Sequence, residues 1–504
     1  MLIELKRDSH VPLYDQIAGQ VRGMITGGTL KIGDRLPANR ELARILGVNR
    51  TTVTTAYAEL MADGLINSHV GRGTFICALP DERPASGKER PRPSPIQWGA
   101  LLADQGRDTW LSGLPPSLGK EFISLAYSLP ASDVFPLDEF RRAVDRVIRK
   151  EGRVLLESGA TGGYDPLQEY VAAQMASSGA RVEPEQILIT NGCQQSLNLI
   201  RQVLVGPGDE VVVENPTYPG ALSVFCGNNA RHISVPVGPR GIDLDVLESV
   251  LSQRRPKLIY TIPSFQNPTG ATMDVAARRR LLELAVKHRI PIIEDDIYRE
   301  LRYDGPSLPS LKALDDCGLV IYVNSFSKIG FPGIRVGWIA ADKSLIAHLS
   351  AAKRRSDLHT SVLAQAAIYE FSRRGLIAKH IKRLKKVHAE RRAAMLAALG
   401  KYFPDESTWT SPEGGMGIWV AMPEAMDANQ VLRESIEKGV VFSPGEHFYS
   451  NLAPANMARL SFSTATPVAI DEAVKRLGAI LKARLVSLKK QRTGRPAEAF
   501  RALV

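Results

Sequence analysis

The spacing of apolar residues changes once along the chain. Before residue 79, apolar side chains recur at helical spacing in three segments that each end at glycine: PLYDQIAGQVRGMITGG, GDRLPANRELARILG and RTTVTTAYAELMADG. Farther along, short apolar runs typical of buried strands (QILIT, EVVVE, KLIYTI, IPIIED and LVIYV) alternate with helical patterns. That alternation predicts an α/β fold with a mainly parallel sheet covered by helices, preceded by a small helical head.

One segment shows neither pattern and marks the boundary between these parts. From Leu79 to about Pro95 the sequence reads LPDERPASGKERPRPSP, which is rich in proline, serine and charge, as linkers are. After a charged helical stretch around residues 365–400, a last mixed segment predicts a smaller C-terminal α+β domain. The predicted organisation has four parts: a head at 1–78, a linker at 79–120, an α/β domain at 121–488 and a basic, disordered tail at 489–504.

Composition narrows the functional classes. With 504 residues, the chain is long enough for two or three domains, and 44% hydrophobic with 23% charged residues is ordinary for a globular protein. Four cysteines without CxxC spacing predict neither a disulfide framework nor a metal site, which fits a reducing cytoplasm. We expect no membrane span, because no run of about 18 apolar residues occurs. The net charge of +11 favours a polyanionic partner.

The head has the order of a helix-turn-helix followed by a hairpin. Asn49 can cap the third helix, whose first turn would present Arg50, Thr51 and Thr52 to the major groove of DNA. LINSHVGRGTFI predicts a two-stranded wing with Arg72 at its tip. The same pattern also suits a helical dimerisation module that binds no nucleic acid.

The details of the head carry a resemblance. PLYDQI, GDRLPANRELARILGVNRTTVTTAYAELMADGLI and GRGTF resemble, in order and spacing, the winged helix-turn-helix domain of the GntR family of bacterial transcription regulators. The resemblance implies that five residues contact DNA: Arg40, Arg50, Thr51, Thr52 and Arg72. Ala38 stands where the family usually has serine, which would remove a hydrogen bond to phosphate.

A single lysine in the second part suggests cofactor chemistry. Lys328 lies in VNSFSKIGFPGIRVGW, between the strand-like run LVIYV and a segment rich in glycine and proline. A lysine that forms a Schiff base needs a partly dry site in which its amine can lose a proton. A cofactor such as pyridoxal phosphate (PLP) also needs a phosphate clamp, a carboxylate for its pyridine nitrogen, a stacking ring and a donor to its hydroxyl.

Residues of each required type follow predicted strands, at the edge where open α/β sheets bind ligands. The amides that open the helix after QILIT suit an anion, because a helix N-terminus is positive. The candidates are Gly192, Cys193 and Gln194, then Tyr218, Asn267, Asp295, Tyr298, Ser325, Ser327 and Arg335. Taken singly, each also has an ordinary explanation as a turn residue, a helix cap or a surface charge.

Taken together, these motifs resemble the fold-type-I aminotransferase domain from about Ile123 to Leu485. The resemblance implies that PLP is the cofactor and that Lys328 forms the internal aldimine with it. It implies the following roles: Asp295 pairs with the pyridine nitrogen, Tyr298 and Asn267 meet the ring hydroxyl, Tyr218 stacks on the ring, and Ser325, Ser327, Arg335 and the loop 192–194 hold the phosphate. Arg459, in ARLSFST, matches the arginine that grips a substrate carboxylate.

Two positions depart from that pattern. Ser158 stands where such enzymes often have a tyrosine that reaches the partner subunit's phosphate, and Gln168 stands where arginine is common. Cofactor binding would rest on the other groups, while the contribution of a dimer to each site is left open.

Both parts together resemble the MocR-type (GabR-like) regulators, in which a GntR winged helix precedes an aminotransferase-like domain. The resemblance implies a cytoplasmic, PLP-dependent transcription factor that senses an amino compound or PLP and binds an operator duplex as a head-to-tail homodimer. Two alternatives stay open. One is an active PLP-dependent aminotransferase that carries the DNA-binding head, and the other is a metabolic enzyme whose head only assists assembly.

Overall fold

The head consists of three helices and a three-stranded antiparallel sheet. The helices are α1 Leu13–Thr26, α2 Asn39–Leu46 and α3 Arg50–Ala62, and the strands are β1 Arg35–Leu36, β2 Ile66–His69 and β3 Gly73–Ile76. The strand order is β1-β3-β2. The predicted helices and the hairpin are confirmed, whereas β1 is an additional short strand that pairs with the outer side of β3.

This computed structural model describes residues 3, 5, 11–26, 29–31, 33–63, 65–69, 73–76, 122–226 and 229–493. The chain divides into two compact units, residues 1–100 and 101–504. The predicted linker at 79–120 and the predicted wing-tip residue Arg72 lie outside the described residues, as does the end of the predicted tail from 494 onward.

Apolar side chains from all three helices form the core of the head. Ile17, Leu42, Val53 and Leu60 are each at most 2% exposed. Between α2 and α3, Gly47 adopts a left-handed conformation with φ of 61°, which ends α2 and turns the chain within three residues. This turn gives α2 and α3 the relative arrangement of a helix-turn-helix.

The second unit is built on a large sheet and a smaller one. Its helices are α4 Leu137–Leu155, α5 Asp165–Ser177, α6 Cys193–Leu204, α7 Pro219–Cys226, α8 Leu244–Gln253, α9 Val275–His288, α10 Leu311–Leu314, α11 Lys343–Ser356, α12 Val362–Arg373, α13 Leu376–Tyr402, α14 Ala428–Glu437 and α15 Pro467–Thr493. Its strands are β4 Ile123–Ser124, β5 Ile187–Thr190, β6 Glu210–Asn215, β7 Arg231–Gly238, β8 Gly241–Ile242, β9 Leu258–Thr261, β10 Ile292–Asp295, β11 Val320–Ser325, β12 Gly337–Ala340, β13 Thr408–Trp409, β14 Gly417–Ala421, β15 Val440–Val441, β16 Ser443–Pro444 and β17 Met457–Ser461.

The large sheet has eight strands in the order β5-β12-β11-β10-β9-β6-β7-β8. Strands β11, β10, β9, β6 and β7 run parallel, while β12 is antiparallel to both of its neighbours. The predicted mainly parallel α/β sheet is therefore confirmed. Helices α6, α7 and α11 cover one face, and α4, α5, α8, α9 and α12 cover the other. Coverage on both faces explains why the strands read as continuous apolar runs.

The C-terminal part forms the predicted smaller α+β domain. Its antiparallel sheet has the order β13-β14-β17-β16 and packs against α13 and α15. Helix α13 is 27 residues long, and its first turn packs on the large sheet while its last turns pack on the small one. None of the helices in the described ranges is both long enough and apolar enough to span a membrane.

Candidate functional site

The predicted site residues meet at the carboxyl edge of the large sheet. Asp295 and Ser325 are the last residues of β10 and β11, and α6 begins directly after β5. Tyr218 follows β6, and Asn267 follows β9. Because the parallel strands all end at this edge, residues far apart in sequence are brought to one place.

Lys328 has the environment of an activated amine. Its Nζ donates a hydrogen bond of 2.7 Å to the backbone oxygen of Ser128 and lies 6.0 Å from the centre of the Tyr298 ring. Desolvation lowers the pKa of Lys328 to about 8, and the positive charge of Arg459 lowers it further. The lysine can therefore reach its neutral, nucleophilic form close to physiological pH.

Asp295 is a buried carboxylate with one oxygen held and the other available. Its Oδ2 accepts hydrogen bonds from the Tyr260 hydroxyl at 2.8 Å and from the Cys193 thiol at 3.5 Å. Oδ1 is buried and makes no hydrogen bond of normal geometry with any residue in the described ranges. Burial raises the pKa of Asp295 to about 6, and the Tyr260 hydrogen bond opposes that rise. Such an oxygen is suited to a cationic N–H donor.

Arg459 lies on β17 and reaches into the same space. Its guanidinium donates to Asn267 Oδ1 at 2.9 Å and to the backbone oxygen of Ala126 at 2.6 Å, and it lies 4.9 Å above the Phe448 ring. Burial lowers the pKa of Arg459. Its Nε–H has no acceptor among the described residues, so the group keeps a donor for an anion.

Two tyrosines border the space above Asp295. Tyr298 is 5% exposed, and burial raises its pKa to about 12, so its hydroxyl stays protonated and can donate. The Tyr218 hydroxyl donates to Gln194 Oε1 at 3.1 Å. A Cβ on Gly220 would lie 2.4 Å from the Tyr218 ring, so glycine at 220 gives that ring its position.

The start of α6 and the segment after β11 form a polar cradle. Arg335 donates to the backbone oxygen of Asn191 at 2.9 Å, and a Cβ on Gly192 would lie 2.7 Å from its guanidinium. Gly192 has φ of 87°, which favours glycine independently of that contact. The Ser325 hydroxyl donates to the Ser327 hydroxyl at 2.8 Å. Amides at a helix N-terminus, two hydroxyls and a guanidinium make a suitable anion site.

Several residues that position the site were not identified from sequence. Tyr260 and Ser128, which contact Asp295 and Lys328, are two of them. A third is Asp357, which accepts from Gln195 at 2.7 Å and from Lys353 at 2.8 Å and so anchors the start of α6. Tyr260 reads as an ordinary strand residue, and the others are 158 to 200 positions from their partners, so no local pattern marks them.

The two departures from the aminotransferase pattern have different surroundings. Gln168 donates from Nε2 to the backbone oxygen of Ile187 at 2.7 Å, so it joins α5 to the start of β5 within one subunit. Ser158 lies on the exposed segment after α4. Gln168 thus has a structural contact where an arginine is usual.

In the head, the predicted DNA-contacting residues share one surface. Arg50 begins α3, and Asn49 caps that helix by accepting from the Thr51 amide at 3.0 Å. Arg50 and Thr51 are exposed, as is Arg40 on α2, while Thr52 is partly exposed. Ala38 is the N-cap residue of α2 and offers no side-chain hydrogen bond to that helix.

Comparisons with known proteins match both units. Residues 123–477 match the aminotransferase class I and II family, and residues 13–76 match the gntR family of bacterial regulatory proteins. The chain is 40% identical to the 2-aminoadipate transaminase of Thermus thermophilus over 366 residues, which cover 72% of this chain and 91% of that enzyme. It is similar to the crystal structure of the α-aminoadipate aminotransferase LysN from Thermus thermophilus, complexed with N-(5'-phosphopyridoxyl)-L-leucine, with a TM-score of 0.72 and 37% identity; the match covers 78% of this chain and 100% of that one.

One relative shares both units in the same order. The probable rhizopine catabolism regulatory protein MocR of Rhizobium meliloti is 30% identical over 480 residues, which cover 94% of this chain and 95% of that protein. The transaminase match lacks the length that the head adds, whereas the regulator match includes it. The chain therefore belongs to the aminotransferase class I and II family and, through the head that precedes this domain, to the MocR/GabR-type subgroup of the GntR family.

Proposed function

We propose that the chain is a transcription regulator that binds operator DNA with its head and senses an amino compound, or PLP itself, with its aminotransferase-like domain. The observation that carries this proposal is the presence, in one chain, of a helix-turn-helix with an exposed Arg50 and a pocket that joins Lys328, Asp295 and Arg459. Similarity to a regulator over 94% of the chain supports the same combination. Because bacterial operators lie in the cytoplasm, we place the protein there.

The residues present fit PLP, which is the cofactor of this family. When bound, it supplies an electrophilic carbon and an electron-withdrawing ring. In our proposal, Lys328 holds the aldehyde carbon, and the unpartnered Oδ1 of Asp295 accepts the proton of the pyridine nitrogen. Tyr298 and Asn267 meet the ring hydroxyl, and Tyr218 stacks on the ring.

The anion cradle would hold the phosphate of the cofactor. The groups that we assign to it are the start of α6 at Gly192, Cys193 and Gln194, together with Ser325, Ser327 and Arg335. Asp357 and Lys353 keep the start of α6 in place through Gln195. Phosphate binding would then fix the orientation of the ring relative to Lys328.

The pKa of Lys328 makes the pocket responsive at physiological pH. With a pKa of about 8, roughly one tenth of the free lysine is neutral at pH 7, against less than one part in a thousand for an ordinary lysine. An amino compound with an acidic group would be oriented by Arg459 and would compete with Lys328 for the cofactor. Competition at this point changes which charged groups surround Lys328.

The signal must then reach the DNA-binding head. We propose a head-to-tail homodimer, in which two heads read two half-sites and the effector favours one arrangement of the dimer. Exposed apolar side chains support a subunit interface: Val154, Leu156 and Leu358 are each more than 60% exposed. The segment at 156–159 lies beside the segment at 359–362, so these residues form one surface.

A second candidate function is transamination. The complete set of Lys328, Asp295 and Arg459, and the 40% identity to a 2-aminoadipate transaminase, support an enzyme that carries a DNA-binding head. In that case an amino acid would convert the cofactor to its amine form, and an oxo acid would regenerate it with steady turnover.

One experiment separates the two functions. Purified protein with PLP is titrated with candidate amino compounds while its visible absorption is recorded, and the same samples are assayed for binding to DNA from upstream of its own gene. A spectral change accompanied by altered DNA affinity supports the regulator. Steady turnover with unchanged DNA affinity supports the enzyme and contradicts the regulator.

A further inference from the structure

A second cavity lies on the face of the large sheet opposite Asp295. Its volume is about 440 Å³, within the range of small-molecule sites. It is bounded by α5, by β11 and β12, and by the first turns of α13. Tyr322 and Trp338 belong to the core on this face, whereas Ile321 and Ile339 pack on the face that Asp295 shares with α6. The cavity is therefore separate from the cofactor pocket.

Two residues that line this cavity keep buried donors without acceptors. Trp338 is 7% exposed, and its Nε1–H has no hydrogen-bond partner among the described residues. Arg299 has an equally unpartnered Nη1, whose nearest carboxylate oxygen, Oδ2 of Asp296, is 3.6 Å away. By contrast, Asn324 and Tyr322 satisfy each other through a bond of 2.8 Å. Buried donors are rarely left unpaired, so this part of the cavity is suited to a ligand with acceptor oxygens.

The remaining walls indicate what else the ligand carries. Lys382 and Lys385 lie at the α13 side and Glu300 lies on the opposite wall, so cations predominate among the charged lining residues. The apolar lining is provided by Val171, Met175, Phe326, Ile329 and Ile377. A carboxylate attached to an apolar body matches both features.

We propose that this cavity is a second ligand site, which binds a small organic carboxylate with an aromatic or branched apolar body. The carboxylate accepts from Trp338 and Arg299, and the apolar body packs against Phe326 and Ile377. Binding is attributed to this chain's own side chains and does not depend on the cofactor.

The position of the cavity also gives it a route to the cofactor pocket. Phe326 and Ile329 line the cavity on either side of Lys328, and Arg299 follows Tyr298 directly. Ile377 lies on α13, which continues into the small sheet. A ligand here would therefore stabilise one position of the Lys328 loop and of α13. This coupling, unlike the binding itself, rests on the proposed function.

Calorimetric titration of the full-length protein tests the binding. PLP is first fixed to Lys328 by borohydride reduction, and a parallel sample carries Arg459→Gln to remove the carboxylate-binding candidate of the first pocket. The probes are phenylacetate, indole-3-acetate and 4-methylpentanoate, each used up to about 10 mM, beyond which affinity is negligible. We expect at least one of them to bind saturably in both samples.

Matched variants locate the site. Ala378 is exposed and lines the cavity, so Ala378→Phe fills it from the surface and should abolish binding. Trp338→Phe keeps the ring and removes the donor, and it should weaken binding about tenfold or more. Trp409→Phe, in the small sheet, should leave affinity unchanged.

The outcomes are distinguishable. The inference is overturned if none of the three carboxylates binds saturably, or if Ala378→Phe binds as tightly as the unmodified protein. The coupling is supported if the bound probe changes the visible absorption of unreduced protein, and is overturned if the spectrum and the DNA affinity stay constant at saturation. Loss of DNA binding with the cavity intact would count against the proposed function alone.

Discussion

Removing the Tyr260 hydroxyl tests whether Asp295 is tuned to receive a cationic N–H group. Tyr260 is fully buried and donates 2.8 Å to Asp295 Oδ2, and its ring packs 5.7 Å from the Phe225 ring. Tyr260→Phe keeps that packing and removes only the donor. Oδ2 then retains the Cys193 thiol, which is a weak donor.

The expected magnitude follows from that loss. A hydrogen bond to a charged group contributes about 1.5–3 kcal/mol, so the pKa of Asp295 should rise by about one to two units. From a starting value of about 6, the carboxyl of the variant would be largely protonated at pH 7. PLP binding requires the ionised carboxylate in our proposal, so affinity is retained above the pKa of Asp295 and lost as the pH falls through it.

The assay is a PLP titration of the cofactor-free protein between about pH 5.5 and 9, a range that spans both pKa values. The ratio of the variant's Kd to the unmodified protein's Kd should be close to one at pH 9 and should grow about tenfold or more toward pH 5.5. Tyr322→Phe, a buried tyrosine on the opposite face of the sheet, is the matched control and should show no such trend. A ratio that is independent of pH would refute the reasoning, because general damage to the pocket would weaken binding at every pH.

Three further predictions concern the pocket and the head. Lys328→Ala should abolish the visible absorption of the PLP-bound protein and leave DNA binding intact; an unchanged spectrum would contradict the assignment. Arg50→Ala should weaken specific operator binding by about 1–3 kcal/mol without altering that spectrum, as measured by operator titration against Arg149→Ala, an exposed arginine on α4. Ala38→Ser should stabilise the head by about 1 kcal/mol in urea unfolding, because serine at this N-cap can form a capping box with Glu41; equal stability would show that the cap does not form.

Sequence predicted the parts of the site that depend on where strands end. Asp295 and Ser325 follow apolar runs, and such runs in alternation with helices place their carboxyl ends at one edge. The antiparallel direction of β12 was not predicted, because GWIA is as apolar as a parallel strand and its direction depends on its neighbours. Apolar periodicity identifies elements but does not determine strand order.

Contacts between distant segments account for the rest. Ser128 meets Lys328 across 200 residues, and Tyr260 meets Asp295 across 35. Ala38 illustrates another limit: the sequence marked it only as a missing phosphate contact, whereas the structure makes it the N-cap residue of α2. Such roles depend on three-dimensional neighbours that one sequence does not specify.

The thiol of Cys193 has a consequence for the oxidative stability of the pocket. A cysteine at the first residue of a helix usually has a lowered pKa and reacts readily. Cys193 opens α6, yet desolvation and the negative charge of Asp295 raise its pKa well above the ordinary value. It therefore stays a thiol under cellular conditions and is a poor target for peroxide or alkylating reagents, which would modify the exposed Cys226 and Cys317 first. The cofactor pocket is thus insulated from redox changes, so that its occupancy reports metabolite levels during oxidative stress as well as in its absence.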